Sequence, residues 1–128
     1  MKKQAGFTLI ELVMVIVILG ILGAIAVPKF VDLSTDAETA AARGMSGSVK
    51  AAHAIAIADL KTFPTVTELA TYVQAEGVAA ASTGIQVSIN GKTCTIPTYT
   101  DSTCSSATAA VGNSVQCVGS ISSLSGCI

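Results

Sequence analysis

Residues 7–27 form an apolar run broken by one ionisable side chain, Glu11. At about 1.5 Å per residue a helix over this run spans roughly 30 Å, enough to cross the hydrocarbon core of a bilayer. Lys2 and Lys3, in the short segment ahead of it, are expected to hold that end on the cytoplasmic side, with the remainder outside. Hydropathy leaves two readings open, a plain membrane anchor and a cleaved secretory signal, for which Ala24-Ile25-Ala26 offers a small-x-small site. Neither reading has a use for Glu11. A carboxylate inside a span costs about 2.5–3.5 kcal/mol at the centre and less near the interface. That cost makes sense if a cation meets Glu11 in an assembled state. An α-amine at Phe7, which exists only if the chain is cut after Gly6, would be such a cation.

The composition points to helices packed closely on other helices. Hydrophobic residues are 51% of the 128, yet aromatics are 4% and Trp is absent, so large rings contribute little to any core. The formal net charge of −1 implies neither nucleic acid nor an anionic membrane surface as a bulk electrostatic partner. After Lys92, Asp101 is the sole Asp, Glu, Lys, Arg or His, which excludes a basic nucleic-acid face there. The 4 cysteines, Cys94, Cys104, Cys117 and Cys127, all fall in the last part of the chain and point to disulfides and an oxidising compartment.

Gly6-Phe7-Thr8-Leu9-Ile10-Glu11-Leu12, continued by the aliphatic residues 13–27 and Pro28, resembles the prepilin cleavage and assembly motif of type IV pilins and the related pseudopilins of type II secretion. The resemblance covers about the first quarter of the chain. It implies cleavage between Gly6 and Phe7 by a prepilin peptidase, N-methylation of Phe7 by the same enzyme, and pairing of Glu11 with the Phe7 amine of a neighbouring subunit. Loss of the leader removes Lys2 and Lys3, taking the formal charge from −1 to −3. Pro28-Lys29 followed by residues 30–33 resembles the mannose-sensitive haemagglutinin branch of pilins.

Gly20, Gly23 and Pro28 weaken the helix over a short window, each Gly by about 1 kcal/mol relative to Ala and Pro through its missing donor. The resemblance implies local melting here in a filament. Thr35-x-x-Glu38 reads as a capping box at which the helix restarts. Met45, Val49, Ala52, Ala56 and Leu60 then mark a buried face up to about residue 61. Asp32, Asp36 and Glu38 lack the spacing of a calcium loop and read as helix-start charges or as subunit contacts toward Lys29 or Arg43. Gly44-Met45-Ser46-Gly47 lacks the spacing of a nucleophile elbow. His53, the only histidine, has no Cys or paired carboxylate nearby in sequence and reads as a packed or surface residue rather than a ligand.

A second short helix is expected from Pro64, burying Val66, Leu69, Ala70 and Val73 and closing at Gly77. A hairpin follows, with residues 85–89 and 92–96 flanking Asn90-Gly91, Ile85 opposite Ile96 and Val87 opposite Cys94, and Pro97 ending it. Further strands are expected at 114–118 and 121–124. Four cysteines allow three pairings; local loop closure beside strands favours Cys94–Cys104 and Cys117–Cys127. No CxxC pair or ligand cluster suggests a metal.

The expected fold is α+β, a long N-terminal helix with an apolar protruding half, packed on a small antiparallel sheet as in pilins. Its segments are a leader (1–6), the long helix (7–61, with 7–27 as transmembrane segment and filament core) and a disulfide-bonded head (62–128). The expected function is that of a structural subunit of a type IV pilus, with adhesion- or motility-type roles, and not an enzyme. The expected partners are copies of itself, a prepilin peptidase and methyltransferase, the inner-membrane assembly machinery and, before assembly, the membrane; no cofactor, catalytic residue or nucleic-acid site is expected. The precursor belongs in a bacterial inner membrane and the product in an extracellular fimbrium. A type II secretion pseudopilin is the alternative, and a membrane-tethered binding domain that never polymerises is the third reading.

Overall fold

The computed structural model describes residues 3–128; Lys2, assigned above to the charged leader, lies outside the described residues. Two compact units part after Asp36, and the second is Ala37–Ile128.

Helix α1 (Leu9–Leu60) contributes to both units. Aliphatic residues and then a long Ala-rich stretch suit a helix of this length. It continues through Pro28 without interruption. One lost bond and a steric clash, worth about 3 kcal/mol, are tolerated in a helix closed by many others. The expected restart at Thr35 does not occur. A capping box needs a helix start with unpaired N–H groups, and Thr35 lies mid-helix, its hydroxyl donating to the Val31 carbonyl at 3.4 Å. The helix stops where Lys61 turns left-handed, at φ 57°.

In the second unit α1 buries Ala42, Ser46, Val49, Ala52 and Ala56. Helix α2 (Val66–Tyr72) buries Val66 and Leu69. The sheet has four antiparallel strands in the order β1 (Ala79–Ala81), β2 (Gly84–Ile89), β3 (Lys92–Tyr99) and β4 (Cys117–Val118). Ile85, Val87, Ile89, Cys94 and Ile96 meet the two helices in one hydrophobic cluster with Val115, Val118 and Leu124. This is the α+β arrangement expected, with a helix laid on a small antiparallel sheet.

The hairpin has the expected register, Ile85 opposite Ile96 and Val87 opposite Cys94. Asn90 and Gly91 both take positive φ, 52° and 76°, as a two-residue turn between right-twisted strands requires. Pro97 does not end β3, which runs on to Tyr99. Pro97 accepts from the Gly119 N–H at 2.8 Å, while Thr98 donates to the Thr83 carbonyl on the opposite side. The nitrogen that lacks a hydrogen therefore faces away from β2, and no β2–β3 bond is lost.

Three other expectations are corrected. Helix α2 closes at Tyr72, because Val73 is extended, and Gly77 instead turns the chain into β1, a strand the Ala-rich sequence had hidden. The strand at 114–118 is reduced to β4, with Ser114 bridging to Thr65, and 121–124 forms no strand.

The disulfides are Cys94–Cys127 and Cys104–Cys117, not Cys94–Cys104 and Cys117–Cys127. Strand β3 carries the chain away from Cys94 at about 3.4 Å per residue, out of reach of Cys104. Ile128 instead exchanges two backbone bonds with Thr93, at 2.8 and 2.9 Å, which brings Cys127 beside Cys94 with Cα atoms 4.4 Å apart. The Tyr99–Cys117 pairing brings Cys117 to the turn holding Cys104.

Candidate assembly segment

Residues 3–8 form no regular structure, and α1 starts immediately after Thr8. The Gly6–Phe7 peptide bond thus precedes the helix, and Phe7 is 93% exposed. The first turn of any helix has N–H groups without intrahelical partners. Here Thr8 and Glu11 answer that demand as a capping box. The Glu11 carboxylate accepts at Oε2 from the Thr8 N–H at 2.7 Å and from the Thr8 hydroxyl at 2.8 Å. In return the Glu11 N–H donates to Thr8 Oγ1 at 3.3 Å. The partner for Glu11 that hydropathy demanded is therefore supplied in part by its own chain. Thr8-x-x-Glu11 has the same signature that misled at Thr35; what separates them is whether a helix starts there.

From residue 9 to residue 36 nothing is buried, and an 18-residue window of α1 has a mean hydropathy of 2.9. The helix is long and apolar enough to cross a membrane. A Cβ at Gly20 or Gly23 would meet nothing within 4 Å, so this unit's own packing requires neither glycine. Pro28 sits within the helix, five residues beyond Gly23. The site is thus an apolar cylinder with one fixed carboxylate at its N-terminal end.

Residues 1–27 match the family described as the prokaryotic N-terminal methylation motif. The chain is 52% identical over 63 residues to the type IV narrow pilus major component PilA5 of Thermus thermophilus, covering 49% of this chain and 54% of that protein. It is 36% identical over 91 residues to the fimbrial protein EcpC of Eikenella corrodens, covering 71% of this chain and 51% of that protein. Residues 1–27 thus carry an N-terminal methylation motif, and the relatives named type IV pilus component and fimbrial protein are what the chain is similar to. A match also extends to the type II secretion system core protein G of Pseudomonas aeruginosa, 43% identical over 51 residues, or 40% of this chain and 36% of that protein. The chain spans about half the length of the first two of these relatives. No solved structure matches it.

The remaining candidate residues lie in the second unit and hold structure. Ser46 is buried, donating to the Ala42 carbonyl at 2.9 Å and accepting from the Ile121 N–H at 3.0 Å. His53 Nε2 bonds the Val115 carbonyl at 2.8 Å, and Lys50 donates to Ser120 Oγ at 2.5 Å. These three residues, one per turn, fasten residues 115–121 along α1. Asp101 closes the turn before Cys104, accepting from the Thr103 hydroxyl and from the Ser105 and Ser106 N–H groups. The Thr103 hydroxyl foremost, then the Ser106 N–H, lowers its carboxyl to about 2. The Thr65 N–H, followed by the Thr65 hydroxyl, likewise holds the Glu68 carboxyl below the ordinary carboxylate range.

Proposed function

We propose that this chain is a structural subunit that polymerises through its N-terminal helix into a type IV pilus. The observation that carries the reading is Glu11, the one carboxylate in the unburied apolar stretch 7–27 and the fifth residue after the Gly6–Phe7 bond. A prepilin peptidase cuts that bond and methylates the Phe7 amine, which pairs with Glu11 of a neighbour. Leader 1–6 is discarded, residues 7–27 pass from bilayer to filament core, and the head 62–128 faces outward. Burial of the aliphatic side chains against copies of the same helix supplies the packing. Gly20, Gly23 and Pro28 form the place where α1 yields on assembly.

Mass spectrometry of sheared surface fibres tests this. The abundant component should be this chain beginning at N-methylated Phe7, and Glu11→Gln should abolish its appearance in fibres. Fibres that lack the chain, or that contain it uncut, would overturn the proposal. The likeness to the core protein of type II secretion supports a second reading, a pseudopilin. That reading requires loss of protein export, with surface fibres intact, when the chain is deleted.

A further inference from the structure

We infer that Cys104–Cys117 is a reversible thiol–disulfide exchange site on the head, which a small dithiol opens while Cys94–Cys127 stays closed. Both bridges lie in the second unit, in different surroundings. Cys104 is exposed and Cys117 half-buried. Cys94 is fully buried in the core cluster, and Cys127 packs against that cluster. Exchange begins when a thiolate attacks one sulfur of a bridge and the other sulfur leaves as a thiolate. At Cys104–Cys117 both demands are met near the surface. A thiolate of the dithiol attacks Sγ of Cys104, a mixed disulfide forms, and Cys117 leaves and takes a proton from water. The second thiolate of the dithiol then attacks the reagent's own sulfur in the mixed disulfide, and Cys104 leaves as the second free thiol. Two electrons pass from the dithiol, which becomes a disulfide, to the bridge, which becomes two thiols. At Cys94–Cys127 neither direction is open. The core bars attack on Cys94, and attack on Cys127 expels a thiolate at Cys94, where apolar surroundings disfavour the charge.

The segments that Cys104–Cys117 joins are also held without it. On the Cys104 side the chain folds back on itself, the Thr100 N–H donating to the Ser106 carbonyl at 2.9 Å and the Thr108 N–H to the Thr98 carbonyl at 3.0 Å. On the Cys117 side the Gln116 N–H donates to the Tyr99 carbonyl at 2.9 Å and the Gly119 N–H to the Pro97 carbonyl at 2.8 Å. Opening the bridge therefore releases the turn at Cys104 and leaves the sheet paired. Cys104 has φ 57°, in the left-handed region that a residue with a side chain rarely takes, so the freed turn has a more relaxed conformation to move to. The two bridges thus divide the work, one locking the core and the other a surface turn that a change of redox state can release.

The test treats the full-length chain in detergent micelles with dithiothreitol in the absence of oxygen, quenches at intervals with iodoacetamide, and locates the label by peptide mass spectrometry. Cys104 and Cys117 should be alkylated together, at least about tenfold faster than Cys94 and Cys127. In urea above the unfolding transition the two rates should come within about threefold of each other, because only the fold distinguishes the bridges. In the chain that keeps Cys94–Cys127 alone, the backbone amide resonances of β2 should hold their positions while those of residues 104–106 move. Equal rates in the native chain, or Cys94 and Cys127 labelled first, would overturn the inference. So would a tenfold preference that survives in urea, or a general collapse of the β2 resonances once Cys104–Cys117 is open.

Discussion

Replacing both cysteines of one bridge by alanine, in two separate variants, tests the pairing and ranks the bridges. The bridges are nested, with sequence separations of 33 for Cys94–Cys127 and 13 for Cys104–Cys117. In the chain-entropy relation the inner closure contributes about 2.9 kcal/mol. The outer one, whose unfolded loop is already shortened by the inner bridge to roughly 21 residues, contributes about 3.3 kcal/mol. Packing widens the gap. Cys94 is fully buried in the core cluster, so its truncation adds about 1 kcal/mol for the space left behind, whereas Cys104 is exposed and adds little. Cys94→Ala/Cys127→Ala should therefore destabilise the head by about 4 kcal/mol and Cys104→Ala/Cys117→Ala by about 3 kcal/mol. Urea unfolding of the full chain in micelles measures this, because both tyrosines, Tyr72 and Tyr99, lie in the second unit and Trp is absent. With a slope of about 1.5 kcal/mol per molar, the midpoints should fall by about 2.7 and 2 M. Each variant should also show no free thiol. Two free thiols in either, or a larger loss from removing the inner bridge, would refute the reasoning.

Gly84→Ala would place a Cβ 2.0 Å from the Ile96 carbonyl oxygen and 3.0 Å from the Pro97 Cα. Since the obstacles are backbone atoms, β2 and β3 must separate at the Gly84–Pro97 pair, beside the fully buried Ile85–Ile96 pair, and the loss should be about 4 kcal/mol or more by the same urea assay. Thr65→Ala removes the α2 cap and should cost about 1 kcal/mol, read as faster amide exchange at Val66–Tyr72. Asp101, lowered from 3.8 to about 2, stabilises the head above the unfolded-state value, and this contribution disappears as pH falls from about 4 to below 2. Asp101→Asn should remove that part of the acid dependence; an unchanged profile between pH 4 and 2 would refute the assignment.

The apolar segment, its carboxylate and the hairpin register were legible in the residues because each is a local pattern. A run of aliphatic side chains, a fixed Thr-to-Glu spacing and an Asn-Gly turn act over a few positions. The sequence also contained three Thr-x-x-Glu spacings, at Thr8, Thr35 and Thr65, and these look alike. Only the folded chain separates them, since Thr8 and Thr65 stand at helix starts while Thr35 is inside α1. The disulfides show the same division. Loop length favoured neighbours in sequence, but which sulfurs meet was decided by Ile128 pairing with Thr93 and by Cys117 pairing with Tyr99. Those contacts join segments far apart along the chain, and their free energy comes from completing one sheet and one core. That is why the N-terminal segment could be read from its residues, whereas the wiring of the head required the tertiary structure.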